Sequence, residues 1–222
     1  MLNVVFQNSD FVVVDKPEGL SFHSESGAGV VVKLSAQLGI ELYSVHRLDK
    51  MTSGLLLLAK SSEVAKKLSD MFSAREIEKF YIAISLRLPK KKQGWVKGDM
   101  TLSRRGSYKL LSTHLNPAIT RFISTSIRPH ERLFLVKPTT GKTHQIRVAL
   151  KSLGSPIAGD ERYAQADTAR KEERGYLHAY ALRFIYEGQN FTFIQPPSFG
   201  ERFLSEEFQV QLAQWNEPWK MF

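Results

Sequence analysis

Apolar positions along the chain fall into short runs, and their period separates strands from helices. Phe11-Val12-Val13-Val14 and Leu55-Leu56-Leu57-Leu58 are unbroken runs of the length expected for strands with both faces buried. Lys79-Phe80-Tyr81-Ile82-Ala83-Ile84 alternates instead, which puts Lys79, Tyr81 and Ala83 on one face of a strand. Residues 107–113, 119–127 and 131–137 read as successive strands joined by short turns, an antiparallel meander ended by Pro138. Residues 180–186 and 191–194 add two more strands before the Pro196-Pro197 break. Helical spacing appears over 28–38 and, more clearly, over 62–74, where Val64, Leu68, Met71 and Phe72 recur behind the caps Ser61-Ser62. A third helix follows Thr143 as cap, with Ile146, Ala149, Leu150 and Leu153 toward the core and His144 with Arg147 on another stripe. Leu204, Phe208 and Leu212 mark a C-terminal helix, and 165–175 reads as a polar surface loop or short exposed helix. The order of these elements predicts an α+β fold, a mixed and mainly antiparallel sheet with flanking helices.

The densest chemistry stands where the leucine strand begins. His46-Arg47-Leu48-Asp49-Lys50-Met51-Thr52-Ser53-Gly54 runs directly into the four leucines. A strand buried on both faces has no solvated side for such groups, so they belong to the loop before it, held at one end by the core. A carboxylate placed between cations against an apolar wall can have its ionisation and nucleophilicity tuned. Taken alone, an Asp beside Thr-Ser-Gly is most often a turn or cap residue.

Composition narrows the setting. A chain of 222 residues, 42% hydrophobic and 24% charged, can bury a core as one domain or two tightly joined lobes. No apolar run approaches the roughly 20 residues of a membrane span, and the N-terminus lacks a secretory pattern. The absence of cysteine excludes disulfides and thiolate metal sites, so a cytoplasmic setting is expected. Net charge is +9, and residues 87–109 hold eight basic side chains against Asp99 alone. Lys90, Lys91, Lys92, Arg104 and Arg105 in this basic insert are candidates for neutralising phosphates, and a solvated loop explains the same charges.

The string from His46 to Lys60 resembles the signature of the RluA-type pseudouridine synthases: HRLD, then TSG, then an aliphatic run ending in Ala-Lys. Five further segments are similar to motifs of that family. They are Val13-Val14-Asp15-Lys16-Pro17 with Gly19 and His23, Lys79-x-Tyr81-x-Ala83, Gly141 to Val148, and Ser155 to Tyr163, followed by Leu177-His178-Ala179. The resemblance runs from about residue 11 to about 197, with two departures: Ala149 where relatives often have His, and Ala164 in place of Gly.

This resemblance implies a pseudouridine synthase fold with a curved central sheet and an RNA-binding cleft, a stand-alone catalytic domain without the S4-type RNA-binding module. It implies that Asp49 is the essential residue, that Arg147 pairs with it, and that Tyr81 and Leu177 hold the target base. Arg47, beside Asp49, is expected to fill the space of a flipped nucleotide or clamp its phosphate. The reaction implied needs no cofactor and no metal. Its partner is RNA, with transfer RNA favoured over ribosomal RNA, and no membrane or obligate protein partner is expected. Two other readings remain open here: a non-catalytic RNA-binding protein on the same fold, and a glycoside hydrolase. The latter needs a second acid, for which Asp160 is the candidate.

Overall fold

The computed structural model describes residues 1–22 and 28–222. In chain order the elements are β1 (Asn3–Gln7), β2 (Phe11–Lys16), α1 (Val30–Leu38), β3 (Tyr43–Ser44), β4 (Ser53–Ala59) and α2 (Ser62–Ser73). They continue with β5 (Glu78–Ser85), β6 (Gln93–Gly98), β7 (Met100–Leu102), β8 (Tyr108–Leu110), β9 (Ala118–Arg128) and β10 (Glu131–Pro138). The chain ends with α3 (Gln145–Ser152), α4 (Ala166–Ala169), β11 (Leu177–Tyr186), β12 (Gln189–Ile194) and α5 (Glu206–Ala213). Two compact units form, residues 1–78 with 178–196 and residues 79–177 with 197–222.

In the first unit β1, β2, β4, β11 and β12 lie side by side, with β3 added along β4. Every pairing is antiparallel except β4 with β11, which is parallel. All seven residues of β4 are buried, which is why four leucines in a row are tolerated: neither face meets water. Leu55, Leu57 and Ala59 join Phe11, Val13, Leu68, Met71, Phe184 and Phe191 in one apolar cluster. Each such side chain contributes about 1.5–3 kcal/mol by leaving water. Helix α2 starts where the Ser61 hydroxyl accepts the Val64 N–H at 3.2 Å, as the sequence predicts.

In the second unit β5, β10, β9 and β6 form an antiparallel set in that order. β5 is a strand as read from sequence, but both of its faces are buried along nearly its whole length; Tyr81 stands opposite Val136, which in turn faces Phe122 on β9. The expected α+β architecture with its mixed, mostly antiparallel sheet is therefore observed.

Several sequence expectations need correction. Residues 107–113 do not open the meander: β8 pairs with β7 in a separate hairpin, and β9 takes β6 as its second neighbour. The stretch 87–109 is accordingly not one loop, since β6 is a strand of the main set and only the hairpin stands apart. Thr143 does not cap α3. The N-cap is His144, in the left-handed region at φ 57°, and its side chain makes no capping bond. Leu204 precedes α5 and is exposed, whereas Phe208 and Leu212 are buried.

Candidate active site

Asp49 lies in the loop between β3 and β4, half-buried, with Leu48 buried beside it and Arg47 exposed. The loop is held from three sides. Lys16 is fully buried at the end of β2, and its ammonium donates to the carbonyls of Pro17 (2.9 Å), Leu20 (2.8 Å) and Lys50 (3.3 Å). The Gly19 N–H donates to the same Lys50 carbonyl at 2.9 Å, so the Lys-Pro-x-Gly turn and the Asp49 loop share one knot. On the other side His46 Nε2 accepts the Leu57 N–H at 3.0 Å while its ring stacks on Phe72 at 4.4 Å. Thr52 N–H closes the turn onto the Asp49 carbonyl at 3.0 Å.

The Thr-Ser-Gly that follows has a mechanical explanation. Ser53 and Gly54 pair with His178 and Ala179 across β4 and β11. A Cβ on Gly54 would lie 2.3 Å from the Ala179 carbonyl oxygen, and φ there is 104°, so only glycine lets the strands approach. The buried His178 ring bridges Ser53 Oγ (2.7 Å) and the Gln195 carbonyl (2.8 Å). A carbonyl only accepts, so Nε2 carries a proton, and in the neutral ring Nδ1 accepts from Ser53. Gln195 then donates to Asp15 at 3.0 Å. His23, the last residue of the opening motif, lies outside the described residues.

In the second unit Tyr81 is nearly buried on β5, on the same face as Lys79. Burial pushes the Lys79 ammonium below its usual range. Arg147, on α3, is 7% exposed, so it does not snorkel as an arginine on an apolar helix usually does. Its Nε donates to Asp160 Oδ2 at 2.8 Å and its Nη2 to Oδ1 at 2.9 Å. The partner expected for Arg147 is Asp49; within the second unit its partner is Asp160. The helix itself is braced by Gln145, which accepts from Thr140 Oγ1 and Lys142 N–H and donates to the Ile119 carbonyl and Thr120.

Asp160 is fully buried and also accepts the backbone N–H groups of Arg162 and Tyr163. Four donors thus converge on Asp160, which makes it an orienting acceptor for the Arg147 guanidinium.

The basic candidates separate. Lys90, Lys91 and Lys92 are exposed between β5 and β6, with the Lys90 N–H on the Leu153 carbonyl at the end of α3. Arg104 and Arg105 occupy the tip of the β7–β8 hairpin, both exposed. Leu177 is buried at the start of β11, immediately before His178. Arg47 and Asp49 thus belong to the first unit, and Tyr81, Arg147 and Leu177 to the second. Lys16, His46, Gln145 and Tyr163 all stand inside the motif segments quoted from the sequence, but their supporting roles become visible only in the structure. Among the described residues no three His, Asp or Glu side chains gather as a metal site, and no helix is long and apolar enough to cross a membrane.

Residues 10–152 match the family described as RNA pseudouridylate synthase. An uncharacterized RNA pseudouridine synthase of Haemophilus influenzae is 46% identical over 218 residues, covering 96% of each chain. The tRNA pseudouridine synthase C of Vibrio vulnificus is 32% identical over 217 residues, 84% of this chain and 86% of that one. The chain spans about three fifths of the length of the ribosomal large subunit pseudouridine synthases C that it also matches, such as that of Rickettsia bellii (61%). Among solved structures, human RNA pseudouridylate synthase domain containing 1 superposes with a TM-score of 0.77 at 22% identity, over 96% of this chain and 95% of that one, a likeness of fold. The chain belongs to the RNA pseudouridylate synthase family and is an isomerase of that family.

Proposed function

We propose that this protein converts uridine to pseudouridine in structured RNA, with Asp49 as the catalytic carboxylate. The observation that carries the reading is the seating of Asp49. It occupies a loop tied to buried Lys16 on one side and, through His46, to a fully buried strand on the other. Such a loop keeps a carboxylate in place while the base beside it is released and turned.

The N1–C1′ bond breaks, uracil rotates, and C5 bonds to C1′ with loss of the C5 hydrogen. Asp49 serves this by attacking C1′, or by removing the 2′ proton and later capturing the sugar; both routes require the ionised carboxylate. Arg147 is the cation we assign to orient Asp49 for either route, a planar guanidinium matching the geometry of a carboxylate. Tyr81 and Leu177 sandwich the uracil, such stacking being worth roughly 1–3 kcal/mol per base. Arg47, exposed next to Asp49, takes the space the flipped nucleotide leaves or clamps its phosphate. Lys90, Lys91, Lys92, Arg104 and Arg105 neutralise flanking phosphates.

Transfer RNA is the substrate class we favour. The match to the Vibrio vulnificus tRNA enzyme extends over most of both chains, whereas only part of each ribosomal enzyme is matched. The test is tritium release from RNA labelled at uracil C5, using transfer and ribosomal RNA from cells lacking this protein. Release from transfer RNA by the wild type, and none by Asp49→Ala with RNA affinity retained, is the expected result. Release from ribosomal RNA alone would overturn the substrate assignment, and release by Asp49→Ala would overturn the role of Asp49. Binding without release from either pool would favour the non-catalytic reading.

A further inference from the structure

The β7–β8 hairpin and the Arg147–Asp160 pair meet at one side chain, Tyr163. Its hydroxyl accepts the Tyr108 N–H at 2.8 Å, at the first residue of β8. The same oxygen lies 2.8 Å from His144 Nδ1, and the imidazole contacts the rings of both Tyr108 and Tyr163 edge-on. With one bond accepted from a backbone amide, the phenol keeps both a proton and a lone pair to share with the imidazole. The Tyr163 ring faces the Arg147 guanidinium at 5.0 Å, and its backbone N–H donates to Asp160 Oδ1 at 3.2 Å.

Arg162 repeats the arrangement one residue earlier. Its backbone N–H donates to Asp160 Oδ1 at 3.1 Å, while its Nη1 donates to the Arg105 carbonyl at 2.5 Å. That carbonyl belongs to a residue in the left-handed region, φ 55°, followed by Gly106 at φ 70°, where a Cβ would come within 3.1 Å of the Arg162 guanidinium. Residues 160–163 therefore grip the hairpin backbone from one side and the Arg147 guanidinium from the other. The hairpin is held by its main chain, which leaves the Arg104, Arg105 and Lys109 side chains outward and exposed.

We propose that Tyr163 is a positioning residue that couples the basic hairpin to Arg147, so that an RNA phosphate seated on the hairpin also sets the guanidinium for the reaction. This rests on the reading above that Arg104 and Arg105 meet RNA and that Arg147 serves Asp49. Seating of the hairpin and setting of the Arg147 side chain then favour each other by linkage, which runs in both directions.

The experiment uses Tyr163→Phe, which keeps the ring and removes only the hydroxyl, and Arg162→Ala, which cuts the other tether should the first variant fold poorly. At saturating RNA Tyr163→Phe, which loses two part-buried hydrogen bonds, should turn over about tenfold more slowly, and Arg162→Ala, which loses an exposed one, about threefold. Arg104→Gln with Arg105→Gln should slow that saturated rate in the wild-type background and add little in Tyr163→Phe. An unchanged saturated rate in both tether variants, or effects that multiply independently, would overturn the coupling. Backbone hydrogen exchange gives a readout without turnover. Both Tyr163→Phe and Arg147→Lys should speed exchange over 104–110, and unchanged protection in the two would overturn the latch. A wild type that releases no tritium while these exchange effects persist would instead refute the function proposed above and leave the latch standing.

Discussion

Arg147 and Asp160 face each other as a two-bond ion pair, Nε to Oδ2 at 2.8 Å and Nη2 to Oδ1 at 2.9 Å, with both side chains closed off from solvent. The two parallel bonds fix the plane of the guanidinium as well as its position. An arginine so gripped has its rotamer entropy removed in advance of any substrate. The pair is therefore better understood as an orienting device than as a source of stability, since burying two charges offsets much of their attraction.

Removing one partner should reveal that balance. Asp160→Ala leaves a buried guanidinium facing an apolar methyl and is expected to destabilise by about 3–5 kcal/mol in urea unfolding. The double variant Asp160→Ala with Arg147→Met should regain a large part of the loss without regaining activity. Equal stability of the single and double variants would show that the ion pair is not what Asp160 contributes.

Lys16 makes a second, independent case. Its ammonium caps the carbonyls of Pro17, Leu20 and Lys50, the last in the loop of Asp49. Lys16→Met preserves the length of the stem and strips the donors. We expect a stability loss of about 1–3 kcal/mol, the scale for leaving buried acceptors without a charged partner. Turnover at saturating RNA should fall further than RNA affinity, because the loop moves while the basic surface stays. A variant that lost affinity and kept its saturated rate would show that Lys16 does not position Asp49.

What the sequence disclosed follows from how local each signal was. The burial of β4 and the existence of β5 as a strand are legible because the signal is carried by the strand's own residues. The hairpin was not, since three-residue strands have no period to read. What turns the chain out of the sheet is Gly98, where a Cβ would meet the Leu111 carbonyl oxygen at 2.2 Å, together with the Asp99 bonds to Leu111 and Thr113. Asp49, Arg147 and Tyr81 stand in long motif strings. Asp160 is legible only as a motif member, because its partner lies a helix away. Its one local sign is Gly159, whose Cβ would fall 1.8 Å from the Arg174 carbonyl oxygen.

Gly54 offers the sharpest steric test. The missing side chain is what lets β4 run beside Ala179, and the backbone there is at φ 104°. Gly54→Ala should cost more than about 3 kcal/mol, from backbone strain together with the contact against the Ala179 carbonyl. Thermal unfolding should show a large drop in midpoint, whereas Gly188→Ala should show a small one: that turn has φ 74° but nothing within 4 Å. Similar drops in the two would mean that dihedral strain alone matters and that the strand approach is not tight.

Lys79 connects the site to pH. Burial on β5 holds its ammonium below the usual value of 10.5. Between that lowered value and 10.5 the unfolded chain binds more protons than the folded one, so stability should rise with pH across the window. Below the window both states are protonated and the burial penalty is fully present; above it the penalty is gone. Tyr180 opposes this trend at the alkaline end, since burial pushes its phenol up to about 12 and its ionisation above pH 10 favours the unfolded chain. Comparison of wild type with Lys79→Met cancels the tyrosine. The stability of wild type relative to the Met variant should rise as pH climbs toward 10.5. Urea midpoints taken at intervals of half a pH unit will show the rise, and two parallel curves would mean that Lys79 keeps its ordinary ionisation inside the fold.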